Sequence, residues 1–211
     1  AELPEVPIEE LVTVAEPPRQ DVLDRLVEFE AKIDYDSLFI VSNRKQFSDP
    51  DLIPGYWLIA NSELEFKGEP QTMTLALGFS EDLETVRQAR DSLLGQQSEP
   101  ESLIGYVEPT EAPGDRDGEL LGSLSLAQLV NIYFEEPTPH LPVFVIIQEG
   151  PIPAGLDRIS IDILAERVEI NWLTAFYAIE WIIFALFALY FWFRLVADER
   201  MREIEALADL D

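Results

Sequence analysis

Val27, Phe29, Ala31, Ile33 and Tyr35 alternate with Glu28, Glu30, Lys32 and Asp34, a period of two that predicts a strand with one buried face. A second apolar run, 38–41, stops at Ser42-Asn43-Arg44. Pro54-Gly55 predicts a turn leading into a strand over 56–60, and 72–79 alternates again around Gly78. Ser80 then predicts a helix N-cap, with Leu83, Val86, Leu93 and Leu94 as the apolar stripe and Gly95 as the stop. A short strand is expected at 104–107, between a polar loop and a Pro- and Gly-bearing loop over 108–119. Ser125 predicts the cap of a second helix carrying Leu126, Leu129, Val130 and Tyr133, which Pro137 to Pro142 break. The β-branched run 143–147 and the alternation of Ile159, Ile161 and Ile163 predict the last strands.

About seven strands and two short helices, with no strand–helix–strand alternation, predict an α+β fold. The expected domain is antiparallel and β-rich, and one C-terminal transmembrane helix follows it. Four segments are expected: a Pro-rich extended arm over 1–26, an acidic domain over 27–168, a membrane helix over 169–196 and a helical tail over 197–211.

The membrane assignment rests on residues 172–193, which carry a single charge, Glu180. As a helix this run is roughly 33 Å long, enough to cross the hydrocarbon of a bilayer. Trp172, Tyr177, Trp181, Tyr190 and Trp192 supply aromatic anchors. Arg194, Arg200 and Arg202 follow the run, against Arg167 alone just before it, so the tail is expected in the cytoplasm and the domain outside. A carboxylate in hydrocarbon is costly unless it snorkels, is protonated or faces another helix. Glu180 therefore either marks a face packed on a partner or sits among the headgroups.

Charge and chemistry narrow the function. The chain of 211 residues has 41 acidic and 14 basic side chains, a net charge of −27, which repels nucleic acid and anionic lipid surfaces. It suits solubility or a cationic partner. With no Cys, disulfides and thiolate chemistry are excluded. The single histidine, His140, lies in a Pro-rich stretch expected to be an exposed and inert loop. Asp115-Arg116-Asp117-Gly118 lacks the distal Glu of a calcium loop and reads as a solvated turn. No nucleophile elbow, phosphate loop or dinucleotide fingerprint is present, so no catalytic residue, cofactor site or metal site is expected. Ala1-Glu2-Leu3-Pro4 reads as a mature start after a removed hydrophobic segment, or as the first residues of a longer chain.

Several short motifs in a fixed order resemble the surfeit locus protein one family, membrane proteins of cytochrome c oxidase biogenesis. They are Asn43-Arg44 after an early strand, Pro54-Gly55-Tyr56, the strand end Ala76-Leu77-Gly78-Phe79, Asn171, and Tyr177-Ala178-Ile179-Glu180-Trp181 entering the last helix. The resemblance covers roughly residues 3–196. It implies a β-rich domain outside the membrane and structural roles for Asn43, Arg44, Pro54, Gly55, Tyr56, Gly78, Asn171 and Ala178. Tyr177, Glu180 and Trp181 are the expected partner contacts. Two departures stand out. Thr174 occupies the position of a family His that is the candidate heme ligand, and Ala76-Leu77 replace an Asn-Arg pair. A diverged bacterial member is implied, similar to the extra single-span subunits of actinobacterial respiratory supercomplexes. The implied role is a non-catalytic accessory or assembly subunit of an aa3-type oxidase in the plasma membrane. Its implied partners are oxidase subunits and, further out, cytochrome c or cytochrome bc complex subunits. The rival implication is a transient heme a insertion chaperone.

Overall fold

The computed structural model describes residues 5–14, 18–19, 21–48, 51–133, 138–160 and 172–208. The chain divides into two compact units, Ala1–Asp162 and Ile163–Asp211. In the first unit the elements run β1 (Val6–Pro7), α1 (Ile8–Leu11), β2 (Leu26–Ser48), β3 (Asp51–Phe66), β4 (Glu69–Ser80), α2 (Leu83–Leu93), β5 (Glu101–Pro109), β6 (Arg116–Asp117), β7 (Leu120–Leu121), α3 (Leu126–Tyr133) and β8 (His140–Glu149). The second unit holds α4 (Trp172–Ala208).

Five strands close on themselves in the order β2, β3, β4, β8, β5 and back to β2. Closure works because β2 is long: its first part, Leu26 to Ala31, pairs with β5, and from Lys32 onward it pairs with β3. A closed small barrel leaves no long edge and fills its interior with alternate side chains. Phe29, Ile33, Leu58, Leu64, Met73, Leu75, Val107 and Val145 belong to that interior cluster. A second cluster lies on the other face of β3, β4 and β8, where Trp57, Ile59, Ala76, Phe79, Phe144 and Ile146 meet Leu121, Leu124, Leu126 and Leu129. Burial on both faces is why β8 reads as a near-continuous apolar run, and why every residue from Thr72 to Phe79 in β4 is buried where the alternation predicts one wet face.

The α+β, strand-rich class and the terminal apolar helix are as expected. The sheet itself is mixed: β4–β8, β1–β2 and β2–β7 are parallel, while the remaining pairings are antiparallel. The two strands expected at 27–35 and 38–41 are one strand with a register shift between Asp34 and Phe39. A polar turn is built into that shift, with Asp36 N–H donating to Asp34 Oδ1 and Ser37 Oγ to Asp34 O. Pro54-Gly55 lies inside β3, paired with Lys45 and Arg44, and not at a turn; the chain reverses earlier, since Ser48 already pairs with Asp51.

Helix α2 is capped by Asp82 rather than Ser80, its carboxylate accepting from Thr85 N–H at 3.0 Å. Gly95 ends that helix region at φ +75°, in the left-handed region where a missing Cβ helps. Ser125 does precede α3, and its carbonyl accepts from Gln128 and Leu129 N–H, but its Oγ is buried with no hydrogen-bond partner among the described residues and so does not cap the helix. The stretch expected as an extended arm contributes to the barrel: Val6 and Pro7 pair with Val27 and Glu28, and Ile8, Val12 and Val22 are buried in the interior cluster. The stretch expected as a solvated turn is mostly strand: Arg116 and Asp117 form β6, paired with Leu121 and Leu120, and only Gly118, at φ +60°, belongs to the hairpin turn. Ile161 and Ile163 lie outside the described residues, whereas Ile159 is buried in the second cluster.

In the second unit α4 is continuous over 37 residues, about 55 Å by helical rise. Its stretch Ile179–Arg200, 22 residues of mean hydropathy 1.8, is long and apolar enough to cross a membrane.

Candidate functional site

Asn43 follows Ser42 at a register shift between Val41 and Arg44, with φ +57°. Asn tolerates this left-handed conformation better than a branched residue, and the shift aims the next side chain. That side chain is Arg44, which reaches Glu111 in a two-pronged pair: Nη1 to Oε1 at 2.6 Å and Nη2 to Oε2 at 2.9 Å. The Arg44 side chain is 13% exposed and that of Glu111 33%. The guanidinium also stacks over Trp57, 5.0 Å from the ring centroid, and Nε donates to Ser42 O. Glu111 Oε2 in turn accepts from Leu124 N–H at 2.8 Å. One ion pair thus ties the barrel to the loop that carries α3 and the second hydrophobic cluster. Burial works to raise the Glu111 carboxyl, but the Arg44 hydrogen bonds and charge and the Leu124 N–H outweigh it and hold it below the usual carboxylate range.

The other motif positions sit beside this lock. Gly55 pairs with Arg44, Tyr56 with Ser80 and Trp57 with Phe79. A Cβ on Gly55 would lie 2.5 Å from the Phe79 ring and 2.5 Å from Ser80 O, so glycine is needed for close approach and not for a turn. Gly78 stands against Leu156 and Asp157, where a Cβ would come within 2.9 Å of Leu156 Cβ. Phe79 and Asp157 exchange two backbone hydrogen bonds there. Pro54 closes the row against Lys45. The structure therefore brings Asn43, Arg44, Pro54, Gly55, Tyr56 and Gly78 together at one end of β2, β3 and β4. Asn171 lies outside the described residues.

Glu111 and Trp57 were not legible as partners of Arg44. Glu111 is 67 positions from it. Nor did the sequence reveal Glu108, which is half-buried on β5. Burial, the charge and hydrogen bond of Asp24, and the charge of Glu111 push its carboxyl up to about 7. A raised carboxyl keeps its proton in the fold, so its stabilising contribution is complete below about pH 4.5 and is lost as pH rises through about 7. Glu108→Gln is expected to flatten that loss. In urea melts of the full chain in detergent, the variant should gain about 1–2 kcal/mol over wild type at pH 8 and little at pH 5, the full shift being reduced by solvent screening. Equal differences at both pH values would contradict the assignment.

His140 is not an exposed loop residue. It opens β8, and burial lowers its pKa from the ordinary value despite the hydrogen bond to Leu141 O. Its Nδ1 lies 2.8 Å from Leu141 O, which only an N–H can satisfy, so Nε2 accepts from Thr74 Oγ1 at 3.2 Å. Both ring nitrogens are engaged. Met73 is fully buried in the barrel interior. Among the described side chains, His140 and Met73 are thus not placed for axial ligation of a heme iron, and Thr174 offers no replacement for an imidazole.

In α4, Tyr177 and Trp181 are one helical turn apart and 53% and 74% exposed, and Trp181 packs edge-on against Phe184. Glu180 is the second residue of the apolar stretch that begins at Ile179. Ala178 lies in the same helix turn.

A strand lock built from the motif residues, on a chain that carries an apolar helix long enough to cross a membrane, defines a structural domain associated with a membrane. The family model described as the SURF1 family matches residues 1–186, and the chain belongs to that family. The family is linked to cytochrome c oxidase assembly; it is a family of assembly factors, generally non-catalytic. Oxidase subunits are accordingly the partners to which it points. No match was found among curated proteins or among solved structures.

Proposed function

We propose that the protein is a non-catalytic accessory or assembly subunit of an aa3-type cytochrome c oxidase, held within a respiratory supercomplex. Family membership over 1–186 is the observation that carries the reading. The side chains support the subunit role over heme handling: the motif residues are spent on the Arg44–Glu111 lock, and the one histidine has both nitrogens engaged. In this reading α4 anchors the chain in the bacterial plasma membrane, with the barrel outside and the Arg-bearing tail in the cytoplasm. Residues 1–168 then act as one extracytoplasmic domain, 169–196 as the anchor and 197–211 as the tail. The acidic exterior disfavours contact with anionic lipid and favours a cationic segment of cytochrome c or of a bc complex subunit.

Tyr177, Glu180 and Trp181 form the contact with the oxidase at headgroup depth, where aromatic rings are amphipathic anchors and a carboxylate is hydrated. Ala178 lets a neighbouring helix approach closely. Tyr177→Ala and Trp181→Ala are each expected to lower recovery of oxidase subunits about tenfold, a hot-spot loss of roughly 1.4 kcal/mol or more, without changing the melting of the domain. Co-purification of both variants at wild-type yield would contradict the assignment. The function itself is tested by tagging the chain, purifying it in mild detergent and identifying what elutes by mass spectrometry. Oxidase subunits in near-equal amount are expected; their absence from a folded, membrane-bound preparation would overturn the reading.

A further inference from the structure

We infer that a groove on the barrel side is a docking site for an extended, basic segment of a partner protein. This deepens the reading of an assembly subunit, on which it rests, by naming a surface and the chemistry that fits it. The groove opens where β2 leaves β3. Beyond the pair Lys32–Glu63 the two strands part: β2 runs on to β5 and β1, while β3 continues with β4 alone. A cavity of about 1000 Å³ lies between them, at the upper end of the range for ligand clefts.

Its floor is apolar, with the buried Phe29 and Leu64 and the flanking Pro70 and Pro139. Its rim is acidic: Glu9, Glu30, Glu63 and Glu65 line it, all exposed, against one cation, Lys32. Among the described residues no ion pair engages these five. Elsewhere on the domain most cations are tied down, Arg44 to Glu111, Arg87 and Arg90 to Glu119, and Arg116 over Phe39. The rim therefore keeps a net negative field that the rest of the surface does not offset. On the groove lining, Gln71 Oε1 is buried and has no hydrogen-bond partner among the described residues, an acceptor that a turn of the side chain would present to a donor in the groove. A backbone N–H or a Lys or Arg side chain supplies that donor, and alternate apolar side chains reach the floor. A chain segment alternating cationic and apolar residues meets all three features at once.

The test is a titration of the full chain, in detergent micelles, with a fluorescent ten-residue peptide of alternating Lys and Val. At moderate salt the wild type should bind it, and a peptide of alternating Glu and Val should not. The triple variant Glu30→Gln, Glu63→Gln, Glu65→Gln should weaken binding at least tenfold. A control triple that removes the same charge elsewhere, Glu81→Gln, Glu84→Gln, Glu149→Gln, should stay within about twofold of wild type. Gln71→Leu, which keeps the rim charge, should weaken binding about three- to tenfold. Three outcomes would overturn the proposal: no binding of the Lys–Val peptide, equal weakening by the two triples, or displacement by spermine at the same charge concentration. Oxidase recovery is measured on the same preparations. Peptide binding without oxidase leaves the groove standing and removes the oxidase, and the reverse removes only the groove.

Discussion

Arg44→Ala is expected to lower stability by about 2–3 kcal/mol, below the ~3–5 kcal/mol of a fully buried pair because a third of the Glu111 side chain is wet. The variant leaves Glu111 half-buried without its counter-charge and strips the cation from the Trp57 face. Leu124 N–H then holds a carboxylate that has every reason to protonate or swing outward. The double variant Arg44→Met, Glu111→Leu should recover only part of the loss: the two apolar groups need no counter-charge, but Leu124 N–H loses its acceptor. The pH sense follows from the direction of the Glu111 shift. A depressed carboxyl contributes stability that is present above its ordinary value of about 4.5 and lost as pH falls through its lower folded value. Arg44→Ala should therefore differ most from wild type near neutrality and least in acid. Urea midpoints of the full chain in detergent, at pH 7 and pH 4, measure both; a variant equally destabilised at the two pH values would contradict the lock.

Gly55→Ala is expected to cost about 2–3 kcal/mol through overpacking, since the added Cβ meets both the Phe79 ring and the Ser80 carbonyl at 2.5 Å. The ring can turn, but the carbonyl belongs to the paired strand β4 and moves only with it. Gly68→Ala provides the comparison. Gly68 has φ +82° and open space within 4 Å of where a Cβ would stand, so its substitution costs only the backbone term, about 1 kcal/mol. The order Gly55 above Gly68 in urea unfolding is the expected result, and the reverse order would show that the β3–β4 contact is looser than described.

Local pattern made much of this fold legible. The alternation at 27–35, the helix ending at Gly95 and the apolar run after 172 each depend on neighbours within a few residues, and each is where the pattern placed it. Mixed pairing was not legible, because β4 and β8 meet across a long excursion through α2, β5 and α3. Pro54-Gly55 misleads for a related reason: a Pro-Gly pair ordinarily marks a turn, yet here Pro54 lies on the part of β3 that has only β2 beside it, where a missing N–H is tolerated. The N-terminal prolines misled in the same way, since Val6 and Ile8 find partners only after β2 is in place. At the site, the order of motifs flagged Arg44 but could not supply Glu111 or Trp57, which tertiary folding alone brings to it. The prolines that flank His140 suggest an exposed loop and hide the strand it opens.

A role in oxidase assembly, exercised at the membrane, is probed by deleting the gene and measuring cytochrome c oxidase turnover in isolated membranes. A several-fold fall is expected, which the full chain restores and a chain ending before residue 172 does not. Turnover unchanged by the deletion, with the oxidase present at its normal amount, would contradict that role.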